Sequence, residues 1–147
     1  MKNIAYILGI VSGFGLTLQV GMNSRLRTLL QSANTAALVS FLVGTVALIG
    51  LLIATRTPLP PRDTLAAVPL WAWFGGLMGA FYVAISTVVA SQLGTTSLLG
   101  LALLGQLATA LVVDHYGFMG LPEHPITLAR IAGVVLLGAG VWLITRP

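Results

Sequence analysis

The sequence predicts an all-α integral membrane protein with five transmembrane helices. Three observations lead there. The seven prolines and the charged residues (Lys+Arg 7, Asp+Glu 3) all fall in or beside the gaps and ends that bound five apolar segments. Those segments, at 4–22, 35–55, 70–91, 95–113 and 127–145, each hold about 19–22 residues, which at a 1.5 Å rise per residue matches a hydrocarbon core of about 30 Å. The chain is 57% hydrophobic and 7% charged, whereas a soluble domain is about one quarter charged. Inside lipid, backbone groups must pair within their own segment and charge is costly, so spans are cleared of charge.

Each element has its own warrant. The apolar run from Ile4 to Met22 follows a single lysine, as in a signal peptide, but it is longer than a typical apolar signal core. No small-x-small site stands directly before Asn23, so it is expected to be a retained first span. Residues 23–34 (NSRLRTLLQSAN) are polar and mildly amphipathic, and are expected to link spans at the membrane interface. Thr35 is expected to cap or open the second span, which ends near Arg56. The stretch TPLPPRDTLAAVP contains four prolines and is a stiff loop, not a span. Trp71 and Trp73 start the third span in the headgroup belt. The link around Gly94 is short enough to force a hairpin between the third and fourth spans. Residues 114–126 join the fourth span to the fifth, which closes at Trp142 and Arg146.

Five spans leave almost nothing for a soluble domain, so one transmembrane domain is expected over residues 1–147. So small a chain can hardly enclose a site, which points to oligomerisation. The absence of cysteine excludes disulfides and thiolate metal sites. The net charge of +4 does not indicate nucleic acid, because no basic cluster exceeds Arg25 and Arg27.

Small residues recur at helical spacing: Gly9, Ser12 and Gly13, then Gln19 and Asn23, in the first span; Gly75, Gly76, Gly79, Ala80, Val83, Ser86, Thr87 and Ala90 in the third; Ala102, Gly105, Gln106, Thr109 and Ala110 in the fourth; Ala129, Ala132, Gly133, Leu136 and Gly140 in the fifth. Helices associate in lipid by close backbone packing, so these stripes are expected to be inward faces. Lys2, Arg56, Arg62 and Arg130 fall on one side of the membrane, and Arg25, Arg27 and Arg146 on the other. A protein of fixed orientation shows a clear Lys/Arg excess on the cytoplasmic side. A difference of one admits two readings. In the first, copies insert both ways and pair antiparallel. In the second, one orientation is set by the first helix or by a partner. An antiparallel pair would have ten helices in an inverted repeat, a ground plan of alternating-access transporters.

A few residues could carry function. Gln106 lies near the centre of its span with Thr109 one turn on, and is either a pocket-lining hydrogen bonder or interhelical glue. Gln19 and Asn23 share a face; Gln19 is the deeper, whereas Asn23 also suits an interfacial cap. Tyr82 shares a face with Gly75, Gly79 and Ser86, and its phenol needs a partner if buried. Asp114 and Arg130 end consecutive spans on one side, where they could form an ion pair or a proton-coupling site. No acid lies mid-membrane, although a proton-driven cation antiporter would be expected to have one there. His115, His124, Asp114 and Glu123 are too few and too irregularly spaced to make a persuasive metal site. No HExxH, G-x-S-x-G or P-loop is present, so intramembrane hydrolysis and ATP-driven work have no support, and no cofactor is expected.

The chain resembles the small YdcZ-like five-helix proteins of the drug/metabolite transporter superfamily. The matching features are Gln19-x-x-x-Asn23-x-x-Leu26, the run from Trp71 to Val83 through Tyr82, Gln92-Leu-Gly94, Gly105-Gln106-Leu107, Asp114-His-Tyr-Gly117, Arg130 and Gly133. They span nearly the whole chain. The resemblance implies a bacterial inner-membrane protein that acts as a dual-topology homodimer, or pairs with an oppositely oriented homologue, and exports or exchanges small organic molecules. The chain departs from the small multidrug-resistance branch in having no glutamate in its first span, so a neutral or anionic substrate fits better than a polyaromatic cation. The expected substrate contacts are Gln19, Asn23, Tyr82, Ser86, Gln106 and Thr109. The resulting expectation is a transporter subunit, half of a ten-helix inverted-repeat fold. A dual-topology ion channel and a structural or accessory membrane subunit are the alternatives.

Overall fold

A computed structural model describes residues 2–146, with side chains from Ile4 onward; the side chains of Lys2 and Asn3, expected to lead into the first span, lie outside the described residues. The fold is all-helical. Six α-helices follow one another: α1 (Lys2–Leu30), α2 (Ala33–Ala54), α3 (Arg62–Ala66), α4 (Gly75–Leu93), α5 (Thr95–Tyr116) and α6 (Leu128–Thr145). Five stretches are long and apolar enough to cross a membrane: Ile4–Leu30, Ala33–Ala54, Leu70–Leu93, Thr95–Tyr116 and Leu128–Thr145. The short α3 lies in the proline-rich connection, and a 3₁₀ turn at Leu70–Phe74 leads into α4.

Several boundaries differ from the sequence reading. Helix α1 does not stop at Met22 but runs on to Leu30. Polarity had marked residues 23–30 as a link, yet no proline or glycine interrupts them, and a helix satisfies its own backbone whether its surface is oily or wet. It stops where Gln31 takes a φ of 52°, the left-handed conformation that commonly follows a helix. Helix α2 is capped by Ser32, not Thr35: the Ser32 hydroxyl accepts from the Thr35 backbone N–H at 3.2 Å. The far end of α2 is a Schellman turn, with Arg56 at φ 52°. There Thr57 N–H donates to Leu52 O at 3.0 Å and Arg56 N–H to Ile53 O at 3.1 Å. Helix α5 continues past Val113 to Tyr116 and ends at Gly117 in the left-handed region.

The chain divides into two compact units, Met1–Val88 and Val89–Pro147. In the first, α1 packs on α2. Its buried residues are small or polar: Val20 and Asn23 on α1, Ala36 and Ala37 on α2, and Val83, Ser86 and Thr87 on α4. Helix α4 also touches α2 closely, since a Cβ on Gly79 would stand 3.2 Å from Phe41 Cζ. The third-span stripe is therefore a buried face at Val83, Ser86 and Thr87, whereas Gly75 and Gly76 at its start stand open.

In the second unit, α5 packs on α6. Here the expected inward faces need correction. A Cβ on Gly100 would stand 3.2 Å from Val141 Cγ2, and one on Gly138 would stand 3.7 Å from Leu104 Cδ1. Gly100 and Leu104 thus meet Gly138 and Val141, whereas Gly105, Gly133 and Gly140 have no such neighbour within 4 Å. Gly9 and Gly13 of α1 are open in the same way. These helices carry small residues on more than one face, and spacing alone does not say which face meets which neighbour.

Candidate functional site

In the first unit, the C-terminal half of α1 brings polar groups beneath the surface. Asn23 is 5% exposed, although it lies seven residues before the helix end, so it is not the terminal cap that its polarity suggested. The adjacent Ser24 hydroxyl is buried without a partner among the described residues. Gln19, one turn earlier, is exposed. On α4, Ser86 is buried and its hydroxyl donates to Val83 O at 2.9 Å. Thr87 is fully buried and donates to Ala84 O at 2.9 Å. Both hydroxyls thus spend their proton on their own helix and keep only acceptor capacity for anything else. Tyr82 is half-buried, and its hydroxyl bonds to no described residue.

Two grooves open on this unit. One, of about 470 Å³, runs between α2 and α4 and is lined by Ala37, Leu38, Phe41, Leu77 and Phe81, with Asn34 at one end. The other, of about 310 Å³, is lined by Arg27, Thr28, Gln31, Ala33 and Val88. The sequence reading missed this second site because it placed Arg27 and Thr28 in an interfacial link. The absence of a helix breaker before Gln31 is the signal that could have found it.

In the second unit, Gln106 and Thr109 are exposed on α5. Neither side chain bonds to a described residue. Gln106 is turned away from α6: it lies about 200° around the helix from Leu104, which meets Gly138.

At one end of this unit, Asp114 and Arg130 join. Arg130 Nη2 donates to Asp114 Oδ2 at 2.5 Å, with the two side chains 36% and 27% exposed respectively. Arg130 Nη1 donates to the carbonyl of His124 at 2.9 Å. The His124 backbone N–H donates in turn to Asp114 O at 2.8 Å, and Ile126 N–H donates to His115 Nδ1 at 3.3 Å. One guanidinium therefore ties the end of α5, the connecting loop and the start of α6. The Thr127 hydroxyl caps α6 by accepting from Arg130 N–H at 3.3 Å. An open hollow of about 390 Å³ beside this clasp is lined by His124, Pro125 and Arg130.

At the opposite end of α6, Arg146 lies over the Trp142 ring, its Cζ 3.3 Å from the ring centroid. This pair suits a headgroup layer, where an aromatic body and a charged tip both find their medium.

Comparison with known proteins places the chain. The family described as "Putative inner membrane exporter, YdcZ" matches residues 4–143. Inner membrane protein YdcZ of Escherichia coli (strain K12) is 26% identical over 137 residues, which cover 93% of this chain and 91% of that protein. No solved structure matches.

Proposed function

We propose that this chain, which belongs to the family described as "Putative inner membrane exporter, YdcZ", is a small-molecule transporter subunit working by alternating access as an antiparallel, dual-topology homodimer. It is a multi-pass inner membrane protein with five spans. An odd number of spans puts the chain ends on opposite faces. Lys2, Arg56, Arg62 and Arg130 then stand against Arg25, Arg27 and Arg146. This near balance is the observation that carries the pairing, because Lys/Arg bias is what fixes orientation. Copies inserted both ways pair into ten helices with an inverted repeat, and such repeats hold their substrate near the midplane at the repeat interface.

The cavity in this reading belongs to the pair. Gln19 and Thr109 are exposed, Tyr82 is half-buried, and Asn23 and Ser86 lie beneath the surface. Amides and hydroxyls of this kind suit a neutral or anionic organic molecule. Asp63, Asp114 and Glu123, the acids of the chain, all lie at span ends or in connections, which weighs against a cation exchanged for protons at the membrane centre. Asp114 and Arg130 hold the α5–α6 connection rigid against the rocking of the bundles, and a proton-coupling role for Asp114 is the second reading of that pair. No cofactor or chemical step enters.

The test is flux in liposomes carrying the purified protein, with a panel of labelled neutral and anionic metabolites. A transporter shows saturable flux that accelerates when unlabelled substrate is placed on the far side, and Asn23→Ala reduces it at unchanged membrane insertion. Non-saturating flux indifferent to the far side would indicate a channel. Flux unchanged by Asn23→Ala and Gln19→Ala together would remove these residues from the site.

A further inference from the structure

We infer that the two copies meet along α5, with the Gln106 carboxamide of each paired to that of the other across the two-fold axis. This rests on the antiparallel pairing proposed above and adds where its seam runs. Gln106 is the twelfth of 22 residues in α5, a helix about 33 Å long, so its amide lies at the middle of the bilayer. It is exposed, bonds to no described residue and points away from α6. Acyl chains offer an amide neither donor nor acceptor. A second copy offers both, in the reverse arrangement, so two carboxamides satisfy each other with two reciprocal hydrogen bonds.

Symmetry selects this residue. Copies of opposite orientation are related by an axis lying in the membrane plane, at the midplane. Only a residue at that depth can meet its own counterpart. On α5 that residue is Gln106. Its flanks suit close approach from either direction: Ala102 and Ala110 stand four residues to each side, and a Cβ on Gly105 would meet nothing within 4 Å. Antiparallel helices centred on Gln106 set Ala102 of one copy against Ala110 of the other, small against small at both ends of the contact.

The chain has no cysteine, so introduced thiols report without background. Gln106→Cys, oxidised in membranes, is expected to give a disulfide dimer. Differently tagged copies carrying Ala102→Cys and Ala110→Cys, with Gln106 intact, are expected to cross-link to each other. Ala102→Cys alone is expected to give none, its counterpart being about 12 Å away along the axis. Gln106→Leu is expected to weaken self-association in detergent by about tenfold, because both reciprocal hydrogen bonds are lost together. Strong cross-linking of Ala102→Cys to itself would mean a parallel pair and overturn both the seam and the antiparallel reading. No α5 cross-link in any variant, with the chain's C-terminal end found on both faces of the membrane, would overturn the seam and leave the antiparallel pair standing.

Discussion

Removing the Arg130 guanidinium should destabilise the protein more than removing the Asp114 carboxylate, because the first holds two partners and the second one. Arg130 reaches Asp114 Oδ2 at 2.5 Å and the His124 carbonyl at 2.9 Å. With side chains 36% and 27% exposed, the ion pair is partly screened and is worth about 1 kcal/mol, the upper end for surface pairs. The bond from the charged guanidinium to a neutral carbonyl contributes about 1 kcal/mol, discounted in the same way. Asp114→Ala is thus expected to cost about 1 kcal/mol and Arg130→Ala about 2 kcal/mol. The double variant should also cost about 2 kcal/mol, a coupling of about 1 kcal/mol. Thermal unfolding in detergent reads this out, at about 2–4 °C per kcal/mol for a chain of this size. Proteolysis within residues 117–127 should rise in the same order. If Asp114→Ala proves as damaging as Arg130→Ala, or if the two losses simply add, the clasp is not what ties the loop.

Gly100→Ala should lower the melting temperature more than Gly79→Ala, since both new methyls meet a neighbour at 3.2 Å but the buried, β-branched Val141 yields less readily than the tip of the Phe41 ring. Gly117→Ala should cost about 1–2 kcal/mol from its left-handed φ of 59°. It adds a clash with Glu123 Cγ at 2.8 Å, and greater protease sensitivity of the α5–α6 loop would show it. Ser32→Ala removes the α2 cap and should cost about 1 kcal/mol, whereas Thr35→Ala leaves that backbone bond in place; equal melting shifts for the two would contradict the cap assignment.

The spans were legible because a bilayer imposes one length and one chemistry on each, and Ala33–Ala54, Leu70–Leu93 and Thr95–Tyr116 obey both. Their ends were less so. At Met22 the composition turns polar while the backbone goes on, so a reading keyed to polarity stopped about two turns early, at the point where Arg25 and Arg27 begin. Ser32 and Thr35 are both plausible caps by residue type, and only backbone geometry chooses between them. The buried face of α4 followed from its stripe at Val83, Ser86 and Thr87, but not at Gly75 and Gly76, which are open. On α5, with small residues at Gly100 and at Gly105, the same rule named the face turned away from α6. That Asp114 and Arg130 come within reach follows from their positions at the near ends of consecutive spans. The second tie, from Arg130 to the His124 carbonyl, depends on the path of the loop and has no sequence signature.

Dual insertion is open to one direct measurement. A reporter fused after Pro147, active in only one compartment, is compared with a second reporter active only in the other, in cells making this chain without a homologue. Insertion in both orientations predicts comparable activity from the two fusions, and a single added lysine on either side should swing the ratio towards one face. Activity from one fusion alone, unmoved by the added charge, would contradict it.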